Sequence, residues 1–192
     1  SPPSEVQSAM LSSGLSPQDR YIAFIPRDWV SYPEKADIIG RAAEYAFEKH
    51  NLTPVFIPLE RGKDEHAVSL AIKNIKHVKP IVIPTPEKTS TLIGILSRME
   101  AVVSMRLHGL IFAAGQGVPL VGIAYDTKVG SFLSYMEQDL CLPLEDVNEE
   151  VLFSLIDRAL QKDRTKLASA VEGLRAIEYK NRETARELLS NK

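Results

Sequence analysis

Residues 101–125 read AVVSMRLHGLIFAAGQGVPLVGIAY. Two apolar runs, Ala101–Met105 and Pro119–Tyr125, flank a stretch with helical character over 106–116. Both runs are short and apolar at successive positions, as strands of a parallel sheet covered on both faces should be. Strand, helix and strand in so short a span make a βαβ unit, because parallel neighbours need a crossover between them.

Working outward, the same rhythm repeats. Tyr21–Pro26, Thr53–Pro58 and Pro80–Pro84 precede the unit as strand candidates, and a weak run at Leu140–Leu142 follows it. Helical patterns lie between them near 34–50, 64–77, 88–99 and 128–137. Six strands alternating with helices predict an α/β domain, a doubly wound Rossmann-like parallel sheet, over residues 20–147. Residues 1–19 read as a polar interdomain lead-in with one short helix at Ser4–Ser12, closed by Gly14 and Pro17. The opening Ser-Pro-Pro, without an initiator methionine, suggests a piece of something longer. Residues 148–192 read as C-terminal helices packing on the domain. Asn148 should cap Glu149–Gln161, where Val151, Leu152, Leu155, Ile156, Ala159 and Leu160 form one stripe. A second helix is expected through Leu167, Val171, Leu174 and Ile177.

Composition removes whole classes of function. With Lys+Arg 23 against Asp+Glu 25, the formal charge of −2 leaves no basic excess for nucleic acid. No apolar run reaches the roughly 18 residues of a membrane span. The single cysteine, Cys141, excludes an internal disulfide and a Cys-based zinc site, and suits a reducing cytosol. HExxH, CxxC, clustered aspartates, GxGxxG and GxxxxGK[ST] are all absent, so no metal or nucleotide loop is expected.

In a sheet ordered 3-2-1-4-5-6, a ligand sits beyond the carboxyl ends of the strands, where strands one and four part. The residues after strands one, four and five are Pro26-Arg27-Asp28-Trp29, Arg106-Leu107-His108-Gly109 and Asp126-Thr127-Lys128. From Ala101 to Tyr125 there is no Asp or Glu, yet Arg106 and His108 fall in the first turn of the expected helix. A cation there opposes the helix dipole by about 0.3–1 kcal/mol. A bound anion reverses that sign. Lys128 repeats the arrangement at the next helix, with Asp126 as its expected cap. The bland readings are that Arg106 pairs with a carboxylate elsewhere, His108 is structural and Lys128 is surface charge. Arg27 is a weaker candidate, and Trp29 fits a core, lid or stacking role equally. His50, His66 and His77 are assigned no function.

Ser104-Met105-Arg106-Leu107-His108-Gly109-Leu110-Ile111-Phe112-Ala113-Ala114, then Gly117-Val118-Pro119, then Gly122-Ile123-Ala124-Tyr125-Asp126-Thr127-Lys128-Val129, resembles the signature of the polysaccharide pyruvyl transferases. It is most similar to the subgroup that pyruvylates cell-wall polymers recognised by S-layer proteins. Ile25-Pro26-Arg27-Asp28-Trp29 fits more loosely. The resemblance implies the C-terminal half of a two-domain GT-B fold, with its N-terminal half as partner across an active-site cleft. It implies transfer of pyruvate from phosphoenolpyruvate onto two hydroxyls of one sugar as a cyclic ketal, releasing phosphate. The acceptor implied is an N-acetylmannosamine of a lipid-linked precursor, handled at the cytoplasmic face of the membrane. Phosphoenolpyruvate enters as donor substrate, with no cofactor. The family's functional residues in this half fall on Arg106, His108 and Lys128. Arg106 would then hold the donor's carboxylate or phosphate, Lys128 its phosphate, and His108 would be the catalytic general acid/base, with Arg27 as a further substrate-binding residue.

Two other classes fit the same pattern. Half of a GT-B glycosyltransferase or sugar-nucleotide epimerase would hold a nucleotide diphosphate, with Thr85-Pro86-Glu87-Lys88 as a thin base-binding candidate. A non-catalytic module would bind an anion without turnover.

Overall fold

In the computed structural model, which describes residues 3–85, 87–136, 138–165 and 172, every expected strand forms. The strands are β1 (Tyr21–Ile25), β2 (Thr53–Phe56), β3 (Ile81–Val82), β4 (Ala101–Ser104), β5 (Leu120–Ala124) and β6 (Cys141–Pro143). Their order is β3-β2-β1-β4-β5-β6, parallel throughout. The helices are α1 (Pro3–Ser12), α2 (Ala36–His50), α3 (Asp64–Ile72), α4 (Thr89–Leu96), α5 (Leu107–Ala114), α6 (Thr127–Tyr135) and α7 (Glu149–Leu160).

Because side chains alternate along a strand, the continuous apolar runs feed two cores. Ile22, Phe24, Phe56, Val103 and Ile123 meet Ala42, Ala67 and Leu152 from α2, α3 and α7 on one face. Tyr21, Ala23, Ile25, Val102 and Leu120 meet Val6, Leu92, Leu110 and Leu133 from α1, α4, α5 and α6 on the other. The chain therefore winds outward from β1 along one face, returns to β4 along the other, and leaves the switch point between β1 and β4.

Within the segment read as a lead-in, Val6, Met10 and Leu15 are buried in the second core. Val6 reaches α4 where Gly94 lacks a side chain; a Cβ there would lie 2.4 Å from Val6 Cγ2. Asn148 Oδ1 accepts from Val151 N–H at 3.0 Å and caps α7 as expected. The second C-terminal helix, at Leu167 to Ile177, lies outside the described residues. No described helix is long and apolar enough to cross a membrane.

Candidate functional site at the carboxyl rim of the sheet

Register aligns the strand ends that carry the motif. Ile25 pairs with Ser104, and Ser104 with Gly122, so the turns after β1, β4 and β5 leave the sheet side by side. Met105 N–H donates to Ile25 O at 3.0 Å, and Arg27 N–H meets Met105 Sδ at 3.4 Å, locking the first two turns together.

The β4–α5 turn is built by Ser104 and Gly109. The buried Ser104 hydroxyl accepts from Arg106 N–H at 3.0 Å and donates to Arg106 O at 2.8 Å. Helix α5 descends onto this turn so closely that a Cβ on Gly109 would lie 2.7 Å from both Ser104 Oγ and Ile25 Cδ1. Gly109→Ala should therefore cost about 1–3 kcal/mol, as overpacking does, read as a lowered urea midpoint with an unchanged m-value. An unaltered midpoint would show that Ile25 and Ser104 can yield.

Arg106 is the N-cap of α5, in extended backbone, rather than a first-turn residue. The expected absence of acid around it holds only within its own segment. Asp64, the first residue of α3 and wholly buried, accepts Nε at 2.9 Å and Nη2 at 2.6 Å in a bidentate pair. Glu60 accepts Nη2 at 2.7 Å. Asp64 Oδ2 also accepts the N–H groups of Leu59 and Glu60, at 3.1 and 2.9 Å, so the acid is anchored in the β2–α3 loop. Burial works against the charge on Arg106, but these carboxylates outweigh it and hold the guanidinium above its ordinary pKa. Lys63 first, and Arg106 second, hold the Glu60 carboxyl down to about 2.

This corrects the electrostatic premise for one residue. At an effective dielectric near 20, two unit charges about 4 Å apart interact by about 4 kcal/mol. An anion approaching Arg106 meets one guanidinium and two carboxylates, so the local sum does not favour it. Arg106 instead ties the β4–α5 turn to the β2–α3 loop, two residues before His108.

His108 is exposed on the first turn of α5, its ring centroid 6.0 Å from that of Phe112, and has no hydrogen-bond partner among the described residues. Lys128 is exposed on α6, and its backbone N–H donates to Asp126 Oδ1 at 2.9 Å, the expected cap. No acid pairs with its ammonium among the described residues. The first-turn N–H groups of α5 have no intrahelical acceptor and open on the same rim.

Arg27 reaches across the end of β4 to β5, where Nη1 donates to the Tyr125 hydroxyl. Its guanidinium lies 4.6 Å from the Tyr125 ring centroid and 5.4 Å from that of Trp29. Those two rings are 4.7 Å apart and tilted by 47°. Trp29 is neither core nor free: 38% of it is exposed, and its ring closes this cluster. Burial raises the Tyr125 phenol above its ordinary pKa despite the nearby Arg27, so at neutral pH it stays protonated and its oxygen accepts a hydrogen bond from the guanidinium N–H. Of the remaining histidines, His50 pairs with Asp157 at 2.7 Å, His66 with Asp28 at 3.1 Å and His77 with Glu48 at 2.6 Å. Each of the three thus has a carboxylate partner.

Reading the ends of strands one, four and five missed Asp64 and Glu60. The same inspection after β2 would have met them in Leu59-Glu60-Arg61-Gly62-Lys63-Asp64. A separate cavity of about 500 Å³ opens beyond β3, lined by Glu5, Ser12, Thr85, Lys88 and their neighbours on α1 and α4. It contains none of the motif residues and lies two strands from the switch point.

The doubly wound, Rossmann-like parallel sheet has the fold of a GT-B domain, and solved structures share it. The chain superposes on a glycosyl transferase family 9 protein from Veillonella parvula with TM-score 0.62 and 19% identity, covering 83% of this chain and 51% of that one. Similar likenesses join it to ADP-heptose LPS heptosyltransferase II of E. coli (TM-score 0.61, 13% identity, 83% and 52% covered) and to UDP-GlcNAc 2-epimerase from Neisseria meningitidis (0.61, 10%, 93% and 50%). The chain thus spans about half the length of these proteins. The family model described as polysaccharide pyruvyl transferase matches residues 1–127, and the chain belongs to that family. Among curated protein sequences none matches it.

Proposed function

We propose that this chain is the C-terminal, donor-binding half of a pyruvyltransferase acting on a sugar of a lipid-linked cell-wall polymer precursor at the cytoplasmic face of the membrane. The observation that carries the reading is the pairing pattern at the rim. Arg106 is neutralised by buried acid, while His108 and Lys128 stand on the first turns of adjacent helices with no acid partner among the described residues. The family match supplies the reaction class.

Phosphoenolpyruvate and two sugar hydroxyls give a ketal and inorganic phosphate. The enol methylene gains a proton and becomes the ketal's methyl group. C2 then accepts the two hydroxyl oxygens, and the C2–O bond to phosphate breaks. One hydroxyl proton balances the new C–H bond, and the other leaves with phosphate. Histidine exchanges protons near neutral pH, so His108 carries a proton between hydroxyl and enol carbon. Lys128, a compact ammonium, faces the phosphate. The α5 first-turn N–H groups stabilise charge on the departing group. Arg106 is a positioning residue in this scheme. The N-acetylmannosamine acceptor follows the S-layer-related resemblance and would be gripped largely by the other half.

Thermal denaturation of the full-length protein with phosphoenolpyruvate or UDP tests the reading. Phosphoenolpyruvate should raise Tm and UDP leave it unchanged, since a ligand that binds only the folded state stabilises it. A shift with UDP alone would favour the glycosyltransferase or epimerase class, whose fold is shared. Anion binding without pyruvyl transfer to any acceptor would favour a non-catalytic module.

A further inference from the structure

We infer that Arg27 supplies the guanidinium that grips the donor's carboxylate, and that Trp29 and Tyr125 exist at this rim to hold it in place. The inference rests on the pyruvyl-transfer reading. Two arginines border the switch point, and the structure treats them oppositely. Arg106 spends Nε and Nη2 on Asp64 and Glu60. Arg27 has no carboxylate partner among the described residues, and its described side-chain hydrogen bond goes to a neutral phenol. Aromatic faces attract a guanidinium and orient its plane without cancelling its charge. The rings of Trp29 and Tyr125 therefore hold Arg27 half-buried while leaving most of its N–H donors for a ligand.

The acids nearest in sequence are committed elsewhere. Asp28 pairs with His66 at 3.1 Å, and Asp126 caps Lys128 N–H at 2.9 Å. What suits this guanidinium is a planar anion able to accept two parallel N–H bonds, which is a carboxylate. Tyr125 begins the turn that carries Lys128, so carboxylate and phosphate of one small donor would be met by neighbouring groups across the β1, β4 and β5 ends. Trp29, 38% exposed, offers its remaining surface to the flat enolpyruvate.

The test is steady-state kinetics of full-length Arg27→Lys, with inorganic phosphate as a competing inhibitor. Lysine keeps the charge and loses the fork, so KM for phosphoenolpyruvate should rise about tenfold or more while kcat changes less. The inhibition constant of inorganic phosphate, which lacks a carboxylate, should stay put and report that the site is folded. Arg27→Gln should show the same split more strongly. An unchanged KM in both variants would overturn the assignment and leave pyruvyl transfer standing. Equal losses of phosphoenolpyruvate and phosphate affinity would overturn it too. If the unaltered protein neither binds nor turns over phosphoenolpyruvate, the underlying reading fails instead.

Discussion

Asp64→Ala should destabilise the protein by about 3–5 kcal/mol, the cost of removing one partner of a buried ion pair. The site meets the conditions for the upper part of the known range. Asp64 has 0% exposure, the Arg106 side chain 14%, and two backbone N–H groups lose their acceptor along with the guanidinium. Glu60 remains on Nη2 and limits the loss. Against a total stability of about 5–15 kcal/mol, that is enough to move the urea midpoint far to the left. A double-mutant cycle with Arg106→Met separates pair from parts. The double variant should be less destabilised than the sum of the singles, since no unpaired charge is left buried. A single-mutant cost under about 1 kcal/mol, typical of exposed pairs, would show that Arg106 is not the tie between the two turns.

His108→Ala in the full-length protein should lower kcat for pyruvyl transfer by about 10²–10⁴-fold, the usual contribution of a general acid/base. KM for phosphoenolpyruvate should move far less, because Arg27 and Lys128 rather than the imidazole are assigned to the donor's charges. Stability should hardly change. The ring is exposed, makes no hydrogen bond among the described residues, and lies 6.0 Å, centroid to centroid, from the ring of Phe112. That combination separates a reacting group from a carboxylate-paired histidine such as His50, whose partner Asp157 also binds Tyr45 and Lys49. Unchanged turnover with unchanged donor affinity would remove His108 from the mechanism.

The two substitutions act on opposite sides of one arrangement. The buried pair ties two turns together, and the exposed helix terminus carries the histidine proposed as general acid/base. Ser104 and Gly109 connect them, one by tying off the turn and the other by letting α5 settle against β1. The motif is therefore partly architectural. Of Ser104, Arg106, His108 and Gly109, three shape the turn and only His108 is left facing outward.

Much of this fold was legible because its information is local. Apolar runs of a few residues announced each strand to within one or two positions, and Asp126 and Asn148 were readable as caps from their place before a helical stripe. The lead-in was harder to read: Val6 and Met10 form too short a stripe to mark a buried face, and the space Val6 fills, left by Gly94, lies far along the chain. Trp29 was ambiguous for a similar reason, since its ring is placed by Tyr125, 96 positions away in the chain, rather than by its own neighbours.

By itself, the sequence determined the strand and helix order, the doubly wound architecture and the three turns where chemistry could gather, because periodicity and capping are written within a dozen residues. Only the tertiary structure decided which cations at those turns are spent and which are available. Charge pairing acts through space, so an aspartate at position 64 can silence an arginine at 106 while a tyrosine at 125 keeps another at 27 in reserve.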